Sequence, residues 1–207
     1  YFFNDIIDVD KDKLHEIKKE RPIASGKISI LLAYIIIVLI LITVIFIQYF
    51  LSHNIFLILG LYLLININYS LWMKNIAILD IICISSGFVL RVLAGVIATG
   101  LVTSGWLLSM TFTLSMLLAL GKRKAELKKT NNFETRISLK KYTEATINNM
   151  QNVFVSCTLI FYILYTNLTE NFNGDKFFLL LSSIFVVAGL LRYIQITSEE
   201  SNIEQPT

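Results

Sequence analysis

Residues 28–51 read ISILLAYIIIVLILITVIFIQYFL, with no charge, proline or glycine along the whole run. A hydrocarbon core about 30 Å thick needs ~20 apolar residues in a helix, so this stretch is long enough to cross a bilayer. Working outward, five more stretches pass the same test, at about 55–72, 76–99, 105–121, 143–166 and 177–197. Composition agrees: 55% of the 207 residues are hydrophobic, only two are proline and mean hydropathy is +0.67. Soluble domains run nearer about 45–50% apolar. The expected fold is all-α, a polytopic transmembrane helical bundle with six spans, forming a single integral-membrane domain over 1–207. Tyr1 is not a methionine, a polar motif begins almost immediately, and no targeting segment precedes it. The expectation is a chain truncated at its start and at its end.

The connections alternate in charge. Residues 1–27 carry six Lys/Arg, 73–75 carries Lys74, and 122–142 carries eight. On the other side, 52–54 and 100–104 have none and 167–176 has only Lys176. Fifteen against one, alternating through six spans, predicts that the basic side is cytoplasmic. Cys83 and Cys157 lie in apolar runs and read as small buried hydrophobes. His15 and His53 are far apart and lack partner ligands. Trp72 and Trp106 sit at span ends, where interface anchors are common.

The opening segment reads NDIIDVDKD over residues 4–12. At about 100° per residue, Asn4, Asp5, Asp8 and Asp12 share one helix face, and Asp10 points elsewhere. Like charges at helical spacing repel, so the face is unfavourable without a cation. Mg²⁺ takes oxygen ligands and is typically held by one or two carboxylates plus substrate phosphates. The face therefore suits a metal–diphosphate complex. A solvated acidic face is the plainer alternative. A Ca²⁺ loop is disfavoured, because the turn glycine and the terminal Glu are missing.

Further polar residues stand out. Arg91 lies deep in the span 76–99, where a charge is costly and marks either function or a structural arginine bonded to carbonyls. Asp80 is on nearly the same face but ~16 Å away along the axis, so each needs another partner. Lys74, in a very short connection, is either an orientation signal or a phosphate contact. The 122–142 connection, entered from Gly121, opens with KRKAELKK, and Arg and Lys there suit a substrate rich in phosphate.

The pattern NDxxDxxxD, followed by KKERPIASG at 18–26, resembles the UbiA superfamily of intramembrane prenyltransferases. Aromatic-acceptor members carry a second aspartate-rich motif, whereas this chain has no Asp between Asp80 and Asp175. The GKRxAEL segment, VLRVLAGVIATG at 89–100 and the Ser104-Gly105-Trp106 turn look like the decaprenyl-phosphate phosphoribosyltransferase branch. That branch has nine spans, which implies two before this chain and one after it.

The resemblance implies an enzyme that moves a 5-phosphoribosyl group from phosphoribosyl diphosphate to a polyprenyl phosphate. The product would serve cell-envelope polysaccharide synthesis. Asp5, Asp8 and Asp12 would be catalytic and, with Asn4, would hold Mg²⁺. Tyr1, Lys18, Arg21, Lys74, Arg91, Lys122, Arg123 and Glu126 would bind substrate. The expected partners are the two substrates and membrane lipid, with no nucleic acid. The alternative is transfer of a prenyl group to an aromatic or other small acceptor. A non-enzymatic transporter or channel is a third reading, but the broken helices in two repeats that it calls for are not visible.

Overall fold

Each apolar stretch becomes a helix, and short polar segments start and stop it. The structure, a computed structural model, describes residues 2–14, 18–48, 53–129, 137–168 and 176–198. Two short helices, α1 (Phe2–Ile7) and α2 (Val9–Leu14), precede α3 (Ile30–Gln48) and α4 (His53–Leu71). Then come α5 (Leu79–Ala98), α6 (Gly105–Lys129), α7 (Glu144–Leu168) and α8 (Lys176–Ser198). No strand is present among the described residues.

Five of these helices are long and apolar enough to cross a membrane, and Ile55–Leu71 within α4 is a shorter apolar helix. The six stretches read from sequence are thus five full-length candidates and one shorter one. Outward-facing Val38, Ile42 and Phe46 on α3, and Ile184 and Phe185 on α8, are exposed. This is the surface of a multi-pass membrane protein, whose helices keep their backbone hydrogen bonds internal and offer apolar side chains to hydrocarbon.

The chain forms two compact units, residues 1–74 and 75–207. In the first, α1 rests on α3 and α4. Between α2 and α3 the chain folds tightly: Ser25 N–H donates to the Arg21 carbonyl at 2.8 Å, and Ile28 N–H to that of Pro22 at 2.9 Å. Gly26 closes this turn at φ +78°, a left-handed conformation that glycine adopts at little cost. Ser29 then caps α3 by accepting the Leu32 N–H at 3.2 Å.

In the second unit α6 is central and packs on α5, α7 and α8. Its core joins Ile81, Met116, Leu120, Tyr142 and Ile147. Buried Thr158 on α7 donates to Thr113 on α6 at 3.0 Å, a polar contact between helices of the kind that helps bind spans together. At Gly121 a side chain would collide with the Tyr193 hydroxyl, so glycine there permits the close approach of α8.

Two expectations are corrected. The span expected to end at residue 121 continues as helix to Lys129, so KRKAELKK is a helical extension and not a loop. Its residues are strong helix formers, and Arg123 pairs with Glu126 one turn on. The span expected to start at 76 begins as helix only at Leu79, because Ile78 has a positive φ of 71°.

Candidate functional site

The acidic segment is nearly continuous helix. Around Asp8, between α1 and α2, Asp8 N–H still donates to the Asn4 carbonyl at 2.9 Å and Asp12 N–H to that of Asp8 at 2.8 Å. The helical register therefore carries through, and four residues come to two cations. Arg21 Nη1 donates to Asp5 Oδ1 at 2.8 Å and to Asp12 Oδ2 at 2.9 Å. Lys74 Nζ donates to both Asp8 oxygens at 2.6 Å and to Asn4 Oδ1 at 3.3 Å. Asp12 and Lys74 are buried. Asp10 stands apart, its side chain 94% exposed and 3.9 Å from Lys13.

The turn 21–26 explains how Arg21 reaches two acids from different helical turns. Pro22 fixes the chain direction just after Arg21, and buried Ile23 and Ala24 anchor the turn. No group of three or more His, Cys, Asp or Glu that could hold a metal occurs among the described residues. What the face offers instead is two converging oxygen pairs, Asp5 with Asp12 and Asn4 with Asp8. Mg²⁺ rarely uses an all-protein cage and usually keeps waters or substrate phosphates beside one or two carboxylates. The donor set fits that mode.

A second cluster lies in unit 75–207. Arg123 Nε donates to Asp80 Oδ2 at 2.7 Å, and its Nη1 to Glu126 Oε2 at 2.7 Å. Tyr142 donates its hydroxyl proton to Asp80 Oδ1 at 3.0 Å and accepts the Ile78 N–H at 2.6 Å. Ser138 Oγ lies 3.5 Å from Asp80 Oδ2. Asp80 and Arg123 are fully buried. Burial, then the neighbouring Asp80 charge, pushes the Tyr142 phenol up to about 12. Ile78 is β-branched with φ 71°, a strained conformation held in place by the Tyr142 hydroxyl.

The remaining sequence candidates are placed as follows. Lys18 lies in the 3₁₀ turn Lys18–Glu20. Lys122 is exposed on α6, and Glu126 is partly exposed beside Arg123. Arg91 is exposed on α5, its guanidinium 4.7 Å from the centre of the Phe88 ring. Tyr1 lies outside the described residues. Sequence reasoning missed Tyr142 and Ser138, which sit 62 and 58 residues from Asp80 and follow no spacing rule. The one available signal was Asp80 itself, a carboxylate in an apolar run that needed partners.

The sequence model of the UbiA prenyltransferase family matches residues 1–205. The decaprenyl-phosphate phosphoribosyltransferase of Mycolicibacterium smegmatis is 31% identical over 167 residues, covering 80% of this chain and 52% of that protein. The enzyme of that name from Mycobacterium tuberculosis is 30% identical over 195 residues, covering 93% of this chain and 64% of that protein. The chain thus spans between half and two thirds of the length of these relatives. A UbiA homolog from Archaeoglobus fulgidus, solved bound to DMAPP and Mg²⁺, superposes with a TM-score of 0.78. At 18% identity, over 99% of this chain and 72% of the other, that likeness shows the shared fold.

Proposed function

The chain belongs to the UbiA prenyltransferase family, and on that premise we propose that it is the larger part of a polyprenyl-phosphate phosphoribosyltransferase. The reaction joins an oxygen of the lipid phosphate to the ribose C1 of phosphoribosyl diphosphate and breaks the bond from C1 to the diphosphate. The products are polyprenyl phosphoribosyl phosphate and free diphosphate. No proton has to leave the attacking oxygen, which is already anionic, so no strong general base is needed, and the lipid phosphate is itself the nucleophile.

The observation that carries this reading is the convergence of Asn4, Asp5, Asp8 and Asp12 in two oxygen pairs beside Arg21 and Lys74. These four residues would hold Mg²⁺, which when bound neutralises the diphosphate and makes it a better leaving group. Arg21 and Lys74 would orient the diphosphate oxygens and half-buried Lys18 would bind a further phosphate, while Lys122, exposed on α6, is proposed as a separate phosphate contact. Arg123 is committed to Asp80 and Glu126, so its contribution would be to brace the end of α6 that carries Lys122. The site would face the cytoplasm, where the Lys/Arg excess lies, and the product would be a lipid-linked pentose for cell-envelope polysaccharide. The names of the relatives favour phosphoribosyl over prenyl transfer.

The test is an assay of membranes bearing the full-length protein, given labelled phosphoribosyl diphosphate and polyprenyl phosphate. Label should pass to the lipid fraction only with Mg²⁺ present. A protein that ignores this donor and prenylates an aromatic acid from a prenyl diphosphate would overturn the assignment.

A further inference from the structure

Arg21 and Lys74 sit where an oxygen-seeking metal would sit. One guanidinium nitrogen bridges Asp5 and Asp12, and one ammonium bridges Asp8 and Asn4. Every member of the shared face is engaged in this way, while Asp10, off the face, meets only Lys13. A divalent cation entering either pair would have to compete with nitrogens already held on those oxygens at 2.6–2.9 Å. Displacing Lys74 is also costly: its side chain is only 8% exposed, and a buried ammonium without a counter-charge is strongly unfavourable. The cost falls if an anion arrives with the metal, because the displaced cations then find phosphate oxygens, and charged hydrogen bonds of that kind are strong.

We propose that Arg21 and Lys74 close the carboxylate face against a divalent cation alone and change partners, from carboxylate to diphosphate, when cation and diphosphate arrive together. The inference rests on reading the face as a metal–diphosphate site, and it adds that the two components load as a unit.

The experiment uses the full-length protein in detergent, titrated calorimetrically with Mg²⁺ alone and then with inorganic diphosphate in Mg²⁺. Wild type should take Mg²⁺ alone weakly and the pair strongly. Arg21→Gln and Lys74→Met should bind Mg²⁺ alone about tenfold tighter and diphosphate about tenfold weaker, the factor one charged hydrogen bond carries. Arg21→Lys keeps the charge without the guanidinium fork, so it should fall between wild type and Arg21→Gln in its exclusion of Mg²⁺ alone. Arg21→Gln leaves Asp5 and Asp12 facing one another, and Lys74→Met leaves Asp8 without its counter-charge, so each should melt lower than wild type without Mg²⁺ and recover with it. Variants with unchanged affinity for Mg²⁺ alone, or a melting loss that Mg²⁺ does not restore, would overturn the exchange. A wild type that binds neither Mg²⁺ nor diphosphate would remove the proposed function as well. A wild type that binds the pair, beside variants unchanged for the metal, would remove only the exchange.

Discussion

Asp8 and Asp10 are two residues apart and stand in opposite surroundings. Asp8 chelates the buried Lys74 ammonium, and Asp10 projects into solvent with a weak Lys13 contact of small energetic value. Asp8→Asn should abolish transfer while Asp10→Asn stays near wild type, both inserting normally because neither lies within an apolar span. Equal losses in the transfer assay would mean that the face is not the site. The grouping of Asn4, Asp5, Asp8 and Asp12 is legible from 3.6-residue periodicity alone. Their counter-ions are not, since Lys74 is 66 residues from Asp8 and only folding brings it there. Tyr142 supports a prediction in pH. Its phenol holds the proton to about 12, whereas an unfolded tyrosine loses it near about 10. The stability it contributes is therefore fully present below about pH 10 and is lost as pH rises towards 12. Tyr142→Phe should melt lower than wild type at about pH 8, yet lose less on going to about pH 11, as followed by thermal denaturation. An equal alkaline loss in both proteins would mean that Tyr142 does not carry it.

At the scale of elements, the extension of α6 past its apolar part decides what its basic residues can do. Hydropathy ends the span near Gly121 because it reads the solvent around a helix, while the backbone hydrogen bonds continue to Lys129. In the extended helix Arg123 faces inward onto Asp80 at the start of α5, and Lys122, one residue earlier, faces outward. Removing one partner of a buried pair leaves an uncompensated charge, so Arg123→Gln should cost about 3–5 kcal/mol. Asp80→Asn combined with Arg123→Gln should recover most of that stability and, with it, donor affinity. A double variant that folds well yet still fails to bind phosphoribosyl diphosphate would show that Arg123 itself touches the donor. The cluster was half legible. A carboxylate within an apolar run announces a missing partner, but the identity of that partner depends on which helices pack together.

For the whole molecule, topology is the property most open to direct measurement. The Lys/Arg asymmetry predicts the 122–142 segment on the cytoplasmic side and 100–104 on the other. In a protein with Cys83 and Cys157 replaced, an impermeant thiol reagent added outside should label Leu101→Cys and spare Lys140→Cys. Both positions are exposed in the structure, so the reverse pattern would invert the orientation and move the proposed site to the wrong face. The sequence by itself determined the class of fold, because a helix must be apolar over a bilayer's thickness and that demand is written residue by residue. It also determined the acidic face, since helical register is a local property of nine consecutive residues. Only the tertiary structure decided which cations those acids meet, that Arg123 is buried against Asp80, and that Tyr142 holds a strained Ile78. Those pairings join residues from 9 to 66 positions apart, and no local periodicity encodes a contact made by the packing of separate helices.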